Sequence, residues 1–373
     1  MKRNRTIILF CLFTLGCTSS RKASTPQISA KYAQGFSIER IGSFDVLTLK
    51  NLVPDSNTTF QYILVPEGVE APKNNSYDGI IRTPVKRIVA TSTTHIAFLE
   101  ALNATEVLVG FAETEYISSS KVRAQIEAGK VMDVGKNQHL NLERIVSLNP
   151  DVILSFEVES IGGSLDRFSN MGIPSAFIGE WNEQNPLGRA EWIKVFGALL
   201  DKKKEAELYF NTIEKKYIKA KKSVPKLKDK PSVIAGSIFQ DIWYVPGGKS
   251  YLAQLFEDAN TNYLWKENKQ TGSLALSIEA VLEKGLGADY WFAPGQHTSY
   301  PILKEDHVLY SKFKATQNKK IFTYARSKGS SGGLLFFESG ASRPDLVLKD
   351  IIHHLYPELS ETYTPTYFLP LHD

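Results

Sequence analysis

Aromatic and arginine side chains follow several predicted strands, in loops of the kind that hold ligands in α/β proteins. Five of them are candidates for ligand contact: Tyr116, Trp181, Trp243, Tyr244 and Arg326. Phe336 and Phe337 follow the Gly-rich run "SKGSSGG", whereas Trp291 fits the buried side of a strand. Aromatic planes and a guanidinium suit a large, partly apolar ligand. The alternative for each aromatic residue is a place in the core or at its rim.

Two distant stretches repeat one architecture with little identity. "HLNLERIVSLNPDVILSF" and "LALSIEAVLEKGLGADYWF" each place a capping residue, a glutamate, a short amphipathic helix and an apolar strand in order. Asn141 and Ser277 are the predicted N-caps, and Glu143 and Glu279 occupy matching positions directly after the helix begins. A carboxylate there pairs with the helix dipole. The repeat therefore predicts two similar units in one chain.

Motifs for covalent chemistry are absent. The chain has no GxSxG, no Walker loop and no GxGxxG between a strand and a helix. The Gly-rich "GSSGG" precedes "LLFFE" rather than a helix start with lysine. Carboxylate pairs that hydrolyse glycosides are recognised by the distance between them in the folded protein, and no sequence spacing marks them. We predict a protein that is not an enzyme and carries no cofactor, with a lipid-anchored hydrolase as the last alternative.

The seven histidines show no metal-ligand spacing such as HExxH. His95, His139 and His297 are predicted near helix starts or strand ends that face a common edge, whereas the neighbours His353 and His354 point in different directions from one helix. Capping, core or surface roles are the usual explanation for such histidines. A bare transition-metal site remains an alternative.

The N-terminus has the pattern of an export signal. Lys2, Arg3 and Arg5 precede a short apolar run that ends in "TLGC". Gly16-Cys17 resembles the cleavage site of a bacterial lipoprotein, although Thr14 departs from the usual leucine. Both cysteines lie in this segment, so cleavage before Cys17 leaves one cysteine, at the first position. A lipidated cysteine explains that placement better than a free thiol does. The alternative is an ordinary signal peptide that contains cysteine.

Composition and charge describe an ordinary globular chain. Hydrophobic residues make up 42% and charged residues 23% of 373 residues, and the formal charge is +4. This charge is too small to indicate nucleic-acid binding. We predict a monomer with these segments: signal peptide 1–16, lipidated cysteine and tether 17–35, added β element 36–84, first α/β lobe 85–185, helical linker 186–225 and second α/β lobe 226–373.

Strands alternate with helices in both predicted lobes, which indicates mostly parallel sheets. The predicted strands include 36–40, 44–51, 59–66, 88–90, 151–156 and 231–239. Thr93 or Thr94 is the predicted cap of the first helix, and Asp201 that of a helix over 202–223. That helix would be about 33 Å long. It fits a strut between two lobes, or else a surface helix of one large domain. Two facing lobes would enclose a cleft at the carboxyl ends of their strands.

The ordered set "KRIVATSTTHIAFLEAL", "DVGKNQHLNLERIVSLNPDVIL", "IWYVPGGKSYLAQLFEDANTNYLW", "SIEAVLEKGLGADYW" and "RPDLVLKDIIHHLYPEL" resembles substrate-binding proteins of iron-siderophore and cobalamin ABC importers. The resemblance runs from about residue 85 to residue 360. It implies two Rossmann-like lobes joined by one long, stiff helix, with a ligand cleft between them. The strands in 36–66 precede the usual core of such proteins and form an added element.

The resemblance also implies a function. Such a protein captures a metal chelate, here a ferric siderophore, cobalamin or haem, and delivers it to an ABC permease. The cleft would bind the chelate through the five candidates, and Glu143 and Glu279 become candidates for docking to the permease. The expected location is the periplasm, with Cys17 anchoring the chain to the cell membrane or the outer membrane.

Overall fold

The computed structural model describes residues 27–28, 30–50, 58–73, 76–156, 168, 171–359 and 361–373. The predicted signal peptide and Cys17 lie outside these residues. The buried apolar residues that form the core lie between Ala33 and Leu371, so a chain that begins at residue 18 keeps the whole described core. Within the described part of the chain, no helix is long and apolar enough to cross a membrane.

The first described element is a five-stranded sheet in the order β1-β2-β3-β4-β5. Its strands are β1 (Gln27–Ile28), β2 (Phe36–Ile41), β3 (Phe44–Lys50), β4 (Thr59–Pro66) and β5 (Gly79–Thr83). Neighbouring strands are antiparallel, except that β4 and β5 are parallel. The sheet shares one hydrophobic core with the lobe that follows, so burial ties this added element to that lobe.

The first lobe is built on a parallel sheet in the order β12-β11-β6-β7-β8. Its strands are β6 (Ile88–Ala90), β7 (Leu108–Phe111), β8 (Met132–Asp133), β11 (Val152–Ser155) and β12 (Ser175–Phe177), and β9 (Gly135–Lys136) and β10 (His139–Leu140) form a separate ribbon. Its helices are α1 (Thr93–Ala101), α2 (Ser120–Glu127) and α3 (Leu142–Leu148). Strands β6, β7, β11 and β12 are buried along their whole length. Such continuous apolar runs suit a sheet covered on both faces.

Three helices connect the lobes: α4 (Pro186–Glu191), α5 (Ile193–Leu199) and α6 (Lys203–Ser223). Helix α6 has 21 residues and is about 32 Å long. Its residues Ala206, Phe210 and Ile213 belong to the core of the first lobe, whereas Tyr217 belongs to the core of the second. One face of a single helix therefore packs on both lobes, as expected for a strut.

The second lobe repeats the plan with the sheet order β16-β13-β18-β19-β20. Its strands are β13 (Ser232–Ala235), β16 (Asn262–Tyr263), β18 (Tyr290–Phe292), β19 (Ile321–Thr323) and the antiparallel edge strand β20 (Leu369–Pro370); β14 (Ser237–Phe239), β15 (Ile242–Pro246) and β17 (Ser273–Leu276) form a second, antiparallel sheet. Its helices are α7 (Tyr251–Asp258), α8 (Ile278–Gly285), α9 (Tyr300–Asp306), α10 (Lys314–Gln317), α11 (Leu335–Ser339) and α12 (Pro344–Leu355). The α/β class with two lobes is thus confirmed.

Local details differ from the predictions at three places. Helix α1 is capped by Ser92 rather than by Thr93 or Thr94, because the chain turns one residue earlier. Asp201 is left-handed (φ +55°) and does not cap α6, whose N-cap is Lys202. The predicted single strand 231–239 is broken at Gly236 (φ +83°), where a Cβ atom would lie 1.8 Å from the carbonyl oxygen of Tyr244. Only glycine fits there, and β13 and β14 consequently enter different sheets.

The two predicted caps of the repeat are confirmed. The side chain of Asn141 accepts a hydrogen bond from the backbone N–H of Arg144, and that of Ser277 accepts one from Ala280. Each bond satisfies one of the free N–H groups at a helix start. The two similar sequence segments therefore form the same capped helix followed by a strand in both lobes.

Candidate functional site: the cleft between the lobes

A cleft of about 660 Å³ lies between the two lobes. Most of its first wall follows the carboxyl ends of β6, β7, β11 and β12, and its second wall comes mainly from the segment after β19 and from α11. The residues that carry the argument below are Thr94, Tyr116, Phe156, Glu180, Trp181, Arg189, Tyr251, Lys328, Gly333, Phe336 and Phe337. Parallel sheets place ligands at this edge because the chain leaves every strand there and forms loops.

Two short 3-10 turns position the side chains of the first wall. The turn Thr114–Tyr116 follows β7 and begins after Glu113, whose backbone is left-handed (φ +57°). The turn Glu180–Asn182 follows β12 and places Glu180 and Trp181 at its start. These tight turns reverse the chain at the sheet edge, so Tyr116 and Trp181 face the cleft from neighbouring loops.

A buried carboxyl group lies below this wall. Glu180 is fully buried, and its Oε1 accepts a hydrogen bond of 2.6 Å from the Thr94 hydroxyl, which lies 2.7 Å from the Ser92 hydroxyl. Within the described residues, Oε2 has no hydrogen-bond partner. Burial raises the pKa of Glu180 to about 7, although the bond from Thr94 opposes this shift. Glu180 therefore holds its proton to a much higher pH than an exposed glutamate does.

Arg189 provides a cation on the linker side of the cleft. Its Nε donates to the carbonyl oxygen of Glu183 at 3.0 Å and its Nη2 to that of Trp181, and its guanidinium carbon lies 4.0 Å from the ring centroid of Tyr251. Burial lowers the pKa of Arg189, while Tyr251 and the nearby carboxylates oppose the shift; a guanidinium stays charged in such a site. No described residue is bonded to Nη1. The side chain is thus held rigidly, with donor capacity left over.

Aromatic rings cover both walls. Tyr116 and Phe337 are 56% and 50% exposed, which is high for large apolar rings in a concave surface. Trp181 packs edge-on against Phe156 with ring centroids 5.8 Å apart, and Phe336 stacks on Tyr324 at 5.2 Å. Exposed aromatic rings gain contact area when a ligand covers them. The cleft therefore offers apolar surface on both walls beside the partly buried cation Arg189.

The lobes contact each other beside the cleft. A Glu338 carboxylate oxygen accepts a hydrogen bond of 2.6 Å from the Ser118 backbone N–H, and the Ser331 hydroxyl donates to the Ile117 carbonyl oxygen at 2.7 Å. A Cβ atom on Gly333 would lie 2.2 Å from the carbonyl oxygen of Tyr116. The Gly-rich run therefore allows the backbones of the two lobes to approach each other closely, because glycine has no Cβ atom. Burial raises the pKa of Glu338 to about 7, with a contribution from Glu100.

The structure brings together only part of the predicted ligand-contact set. Tyr116 and Trp181 line the cleft, as do Phe336 and Phe337. Trp243 does not, because its strand alternates sides: Trp243 is fully buried against Trp291 and Tyr310, whereas Tyr244 points outward and is 39% exposed. Neither residue is among those that line the cleft.

Arg326 is also placed elsewhere. Its Nη1 donates to the carbonyl oxygen of Pro370 in the edge strand β20, and the residue does not line the cleft. Sequence spacing alone does not tell whether a side chain lies in a strand or in a loop at the cleft. It also does not show that Arg326 is bonded to Pro370, 44 residues away. The structure therefore does not bring Trp243, Tyr244 and Arg326 to the cleft.

Sequence reasoning missed Arg189, Glu180 and Tyr251. Arg189 is the basic residue in the otherwise apolar or buried helix α4, and this contrast is the only local signal that marks it. Glu180 directly precedes Trp181 but has no motif of its own. Their partners Thr94 and Tyr251 are 86 and 62 positions away, so the sequence gives no spacing by which to find them.

The histidines named for a bare metal site do not line the cleft. His95 is fully buried against Phe196, and burial lowers its pKa to about 3, whereas His139 is exposed in β10. His297 lies 3.0 Å from Asp306. Among the described residues, no group of three or more His, Cys, Asp or Glu side chains could hold a metal ion.

Glu143 and Glu279 are both exposed in the first turn of their helices, α3 and α8. The pKa of Glu279 is lowered by a hydrogen bond from its own backbone N–H and by the Ser277 hydroxyl. The dipole interaction expected from the repeat is therefore available at both sites. Their exposure also leaves them accessible to a partner protein.

A family model described as periplasmic binding protein matches residues 88–327. This chain belongs to the periplasmic binding protein family. The match covers the first lobe, the linker helices and the second lobe as far as the loop after β19, and it leaves the N-terminal sheet outside. Because the family consists of solute-binding proteins of ABC importers, this periplasmic binding protein is not an enzyme.

Individual relatives agree with the family. A lipoprotein of Methanocaldococcus jannaschii, itself uncharacterized, is 28% identical over 299 residues, which are 78% of this chain and 70% of that protein. The structure of an ABC transporter substrate-binding protein from Listeria monocytogenes has a TM-score of 0.53 at 21% identity and covers 73% of this chain and 99% of its own.

Two further solved structures show the same fold. The periplasmic heme-binding protein of Vibrio cholerae has a TM-score of 0.57 at 17% identity, with 73% of this chain and 99% of that chain covered. A molybdate-binding periplasmic protein of Haemophilus influenzae has a TM-score of 0.56 at 18% identity, with 75% and 89% covered. At these identities the likeness shows the fold of this periplasmic binding protein and leaves its ligand to be argued from the cleft.

Proposed function

We propose that this periplasmic binding protein is exported, anchored by a lipid on Cys17, and captures a metal chelate for delivery to an ABC permease. The chelate is a ferric siderophore, cobalamin or haem. The observation that carries this proposal is the interlobe cleft of about 660 Å³ with exposed aromatic rings and the partly buried cation Arg189. Its volume lies within the range of about 300–1,000 Å³ typical of organic-ligand pockets.

The charge of the cleft favours an anionic or neutral chelate. Arg189 and Lys328 are cationic, whereas Glu113 and Glu180 are the carboxyl groups among the lining residues. Because burial raises the pKa of Glu180 to about 7, that group cancels only part of the positive charge at neutral pH. Aromatic rings then supply the contact area that a large organic chelate offers.

A bare metal ion suits this cleft poorly. Ions of this type bind to three or more closely spaced donor side chains, and the described residues offer no such group. The names of relatives add a second reason to test organic chelates first, since one solved relative is described as heme-binding. Another is described as molybdate-binding, so a small oxyanion belongs in the same test.

Ligand titration tests the proposal directly. We expect the chain beginning at residue 18 to show saturable quenching of tryptophan fluorescence with one chelate among ferric siderophores, cobalamin and haem. Of the five tryptophans, Trp181 alone lines the cleft, so Trp181→Phe should remove most of the quenching. Equilibrium dialysis measures the affinity independently. Binding confined to Zn, Mn or Fe salts, or to molybdate, would contradict the chelate proposal.

A matched pair of tyrosines separates cleft contact from general effects. Tyr116→Ala is expected to weaken chelate binding by about tenfold, since loss of one aromatic contact costs about 1–2 kcal/mol. Tyr244→Ala removes an exposed tyrosine outside the cleft and should leave the affinity unchanged. Dialysis with the chelate identified above measures both. Equal effects of the two replacements would show that the ligand does not occupy this cleft.

Docking to the permease is proposed for Glu143 and Glu279. We propose that the two carboxylates pair with cationic side chains of the permease. Replacing both with arginine is therefore expected to abolish chelate uptake into cells or proteoliposomes that hold the cognate permease, because arginine would repel those cations. Chelate affinity in solution should be unchanged, since neither residue lines the cleft. The control is Glu106→Arg together with Glu127→Arg, which makes the same change of charge at two exposed glutamates of the first lobe. Uptake at the wild-type rate would rule these two residues out.

A further inference from the structure

A strongly basic surface lies at the end of the strut helix. Residues 215–230 contain eight lysines and one aspartate, a net charge of +7. We call these eight side chains the basic surface: Lys215, Lys216, Lys219, Lys221, Lys222, Lys226, Lys228 and Lys230. All eight are exposed. The whole chain carries +4, of which three positive charges belong to residues 1–16, so the part after residue 16 carries −6 outside residues 215–230.

The lysines of α6 form a continuous stripe. Lys215, Lys219 and Lys222 are spaced by four and three residues, which places them on one side of the helix. That side is opposite the buried face formed by Phe210 and Ile213, because the two sets differ by about half a turn. Among the described residues, Lys221 alone of the basic surface forms an ion pair, with Asp258 at 2.7 Å. The remaining charges are therefore available to an outside partner.

The loop after α6 adds an apolar group to this charge. Leu227 lies between Lys226 and Lys228 and is 42% exposed. Lysines near the last turn of a helix are favourable for its dipole. That effect falls off within one turn, however, and it does not explain lysines that continue through residue 230. An apolar side chain among exposed cations is typical of segments that contact the headgroup region of a bilayer.

The residues that follow β1 contact this same helix and the helix Pro186–Glu191 before it. Lys31 forms an ion pair with Glu214, one residue before the basic surface, and the Tyr32 hydroxyl donates to the same carboxylate at 2.6 Å. The buried carboxylate of Glu191 accepts the backbone N–H groups of residues 31, 32 and 33 at 2.8, 2.7 and 3.0 Å. Residues 31–33 are therefore held beside the linker helices, and the chain leads back from them through β1 in the N-terminal sheet towards Cys17.

The distance from Cys17 to the fold is short. Ten peptide units join Cys17 to Gln27, where β1 begins, and they span at most about 35 Å. A lipid on Cys17 would therefore hold the start of β1 within that distance of the bilayer. The basic surface would then meet the headgroups at a high effective concentration.

We propose that the basic surface binds the anionic phospholipid headgroups of the membrane in which Cys17 is anchored. This inference rests on the export and lipidation proposed above, and it adds a second attachment that fixes orientation. A polybasic patch is a common second membrane signal beside a lipid anchor. Each lysine close to an anionic surface contributes about fivefold to the partition coefficient. The strut helix is therefore held against the bilayer.

Vesicle flotation tests this surface without the lipid anchor. The chain beginning at residue 18 is mixed with vesicles of phosphatidylcholine alone, or of phosphatidylcholine with phosphatidylglycerol. We expect binding to the anionic vesicles only, with a large loss at about 0.5 M salt, where the Debye length falls below about 5 Å. The triple variant Lys215→Glu, Lys219→Glu, Lys222→Glu should bind at least about a hundredfold more weakly.

A charge-matched control separates this surface from net charge. The variant Lys121→Glu, Lys130→Glu, Lys312→Glu changes three exposed lysines of the two lobes and should retain vesicle binding to within about threefold. Equal loss in both variants, or no binding to anionic vesicles, would overturn the proposal. Binding to soluble heparin but not to vesicles would point to a polyanion and would overturn it as well.

The same variants keep this inference distinct from the ligand proposal. The triple variant Lys215→Glu, Lys219→Glu, Lys222→Glu should bind the chelate with wild-type affinity, because none of the three lysines lines the cleft. If no chelate binds while anionic vesicles do, the ligand proposal fails and the membrane surface stands. If the chelate binds and the vesicles do not, the reverse holds.

Discussion

Replacing Arg189 with alanine is expected to weaken chelate binding by about a hundredfold or more. The guanidinium is the partly buried cation of the cleft, and hydrogen bonds to a charged group contribute about 1.5–3 kcal/mol. Its loss also frees the carbonyl oxygens of Trp181 and Glu183, which Arg189 now holds. The effect therefore combines a lost ligand contact with a looser 3-10 turn under Trp181. Equilibrium dialysis with the identified chelate measures it.

Arg326→Ala is the matched control for that experiment. Arg326 is bonded to Pro370 at the edge of the second sheet and does not line the cleft, so its removal should leave the affinity unchanged. Arg189→Lys keeps the charge but cannot bridge two carbonyl oxygens in a fixed plane, and we expect an intermediate loss. Thermal unfolding of each variant shows whether the fold is intact. An Arg189→Ala protein that is folded and binds within twofold of wild type would refute the assignment.

Two buried carboxyl groups are expected to make stability depend on pH. Burial raises the pKa of Glu180 and of Glu338 to about 7 from a reference of 4.5. The unfolded chain ionises these groups near pH 4.5, whereas the folded chain keeps its protons until about pH 7. Below pH 4.5 both groups are protonated in the folded and the unfolded chain, so they do not destabilise the fold. As the pH rises to about 7, the unfolded chain loses these protons first, and the free energy of unfolding decreases. Each group then lowers the free energy of unfolding by up to about 3 kcal/mol.

Glutamine variants measure the contribution of each buried carboxyl group to the pH dependence of stability. We expect the free energy of unfolding of Glu338→Gln, relative to wild type, to rise by up to about 3 kcal/mol between about pH 5 and about pH 8. Glu180→Gln should behave in the same way. Urea unfolding at both pH values measures the difference. Exposed Glu143→Gln is the control, and a relative stability of Glu338→Gln that does not change with pH would contradict the prediction.

The comparison must be made between variant and wild type because two histidines oppose the effect. Burial lowers the pKa of His95 to about 3 and that of His354 to about 4. Their unfolded forms bind protons below about pH 6.5, so their contribution to stability is lost as the pH falls. The slopes from the glutamates and the histidines have opposite signs between about pH 4.5 and 6.5. Subtraction of the wild-type curve removes the histidine term.

Glu338 also links this pH dependence to the two lobes. Its carboxylate accepts the backbone N–H of Ser118 from the other lobe, and the glycine-rich run packs beside this bond. An ionised Glu338 keeps the bond but is desolvated between the lobes. Above about pH 7 the carboxylate is ionised, and it becomes hydrated only when the lobes separate. Separation of the lobes is therefore easier above about pH 7.

The sequence by itself determined the fold class, the strut helix and the step repeated in each lobe. These features depend on local information: apolar runs for strands such as β6 and β11, caps at Asn141 and Ser277, and a long amphipathic pattern for α6. Each signal is contained in a few turns of helix or one strand. The resemblance that rested on these segments is confirmed by the family match over residues 88–327.

Only the tertiary structure decided which side chains meet in the cleft. Trp243 and Tyr244 are neighbours in sequence but point to opposite sides of β15, and a strand offset of one residue reverses such an assignment. Glu180 and Thr94 are 86 residues apart, and Arg189 meets Tyr251 across the linker. A ligand site is formed by loops from many strands, so its members share an edge of the sheets rather than a spacing in the chain.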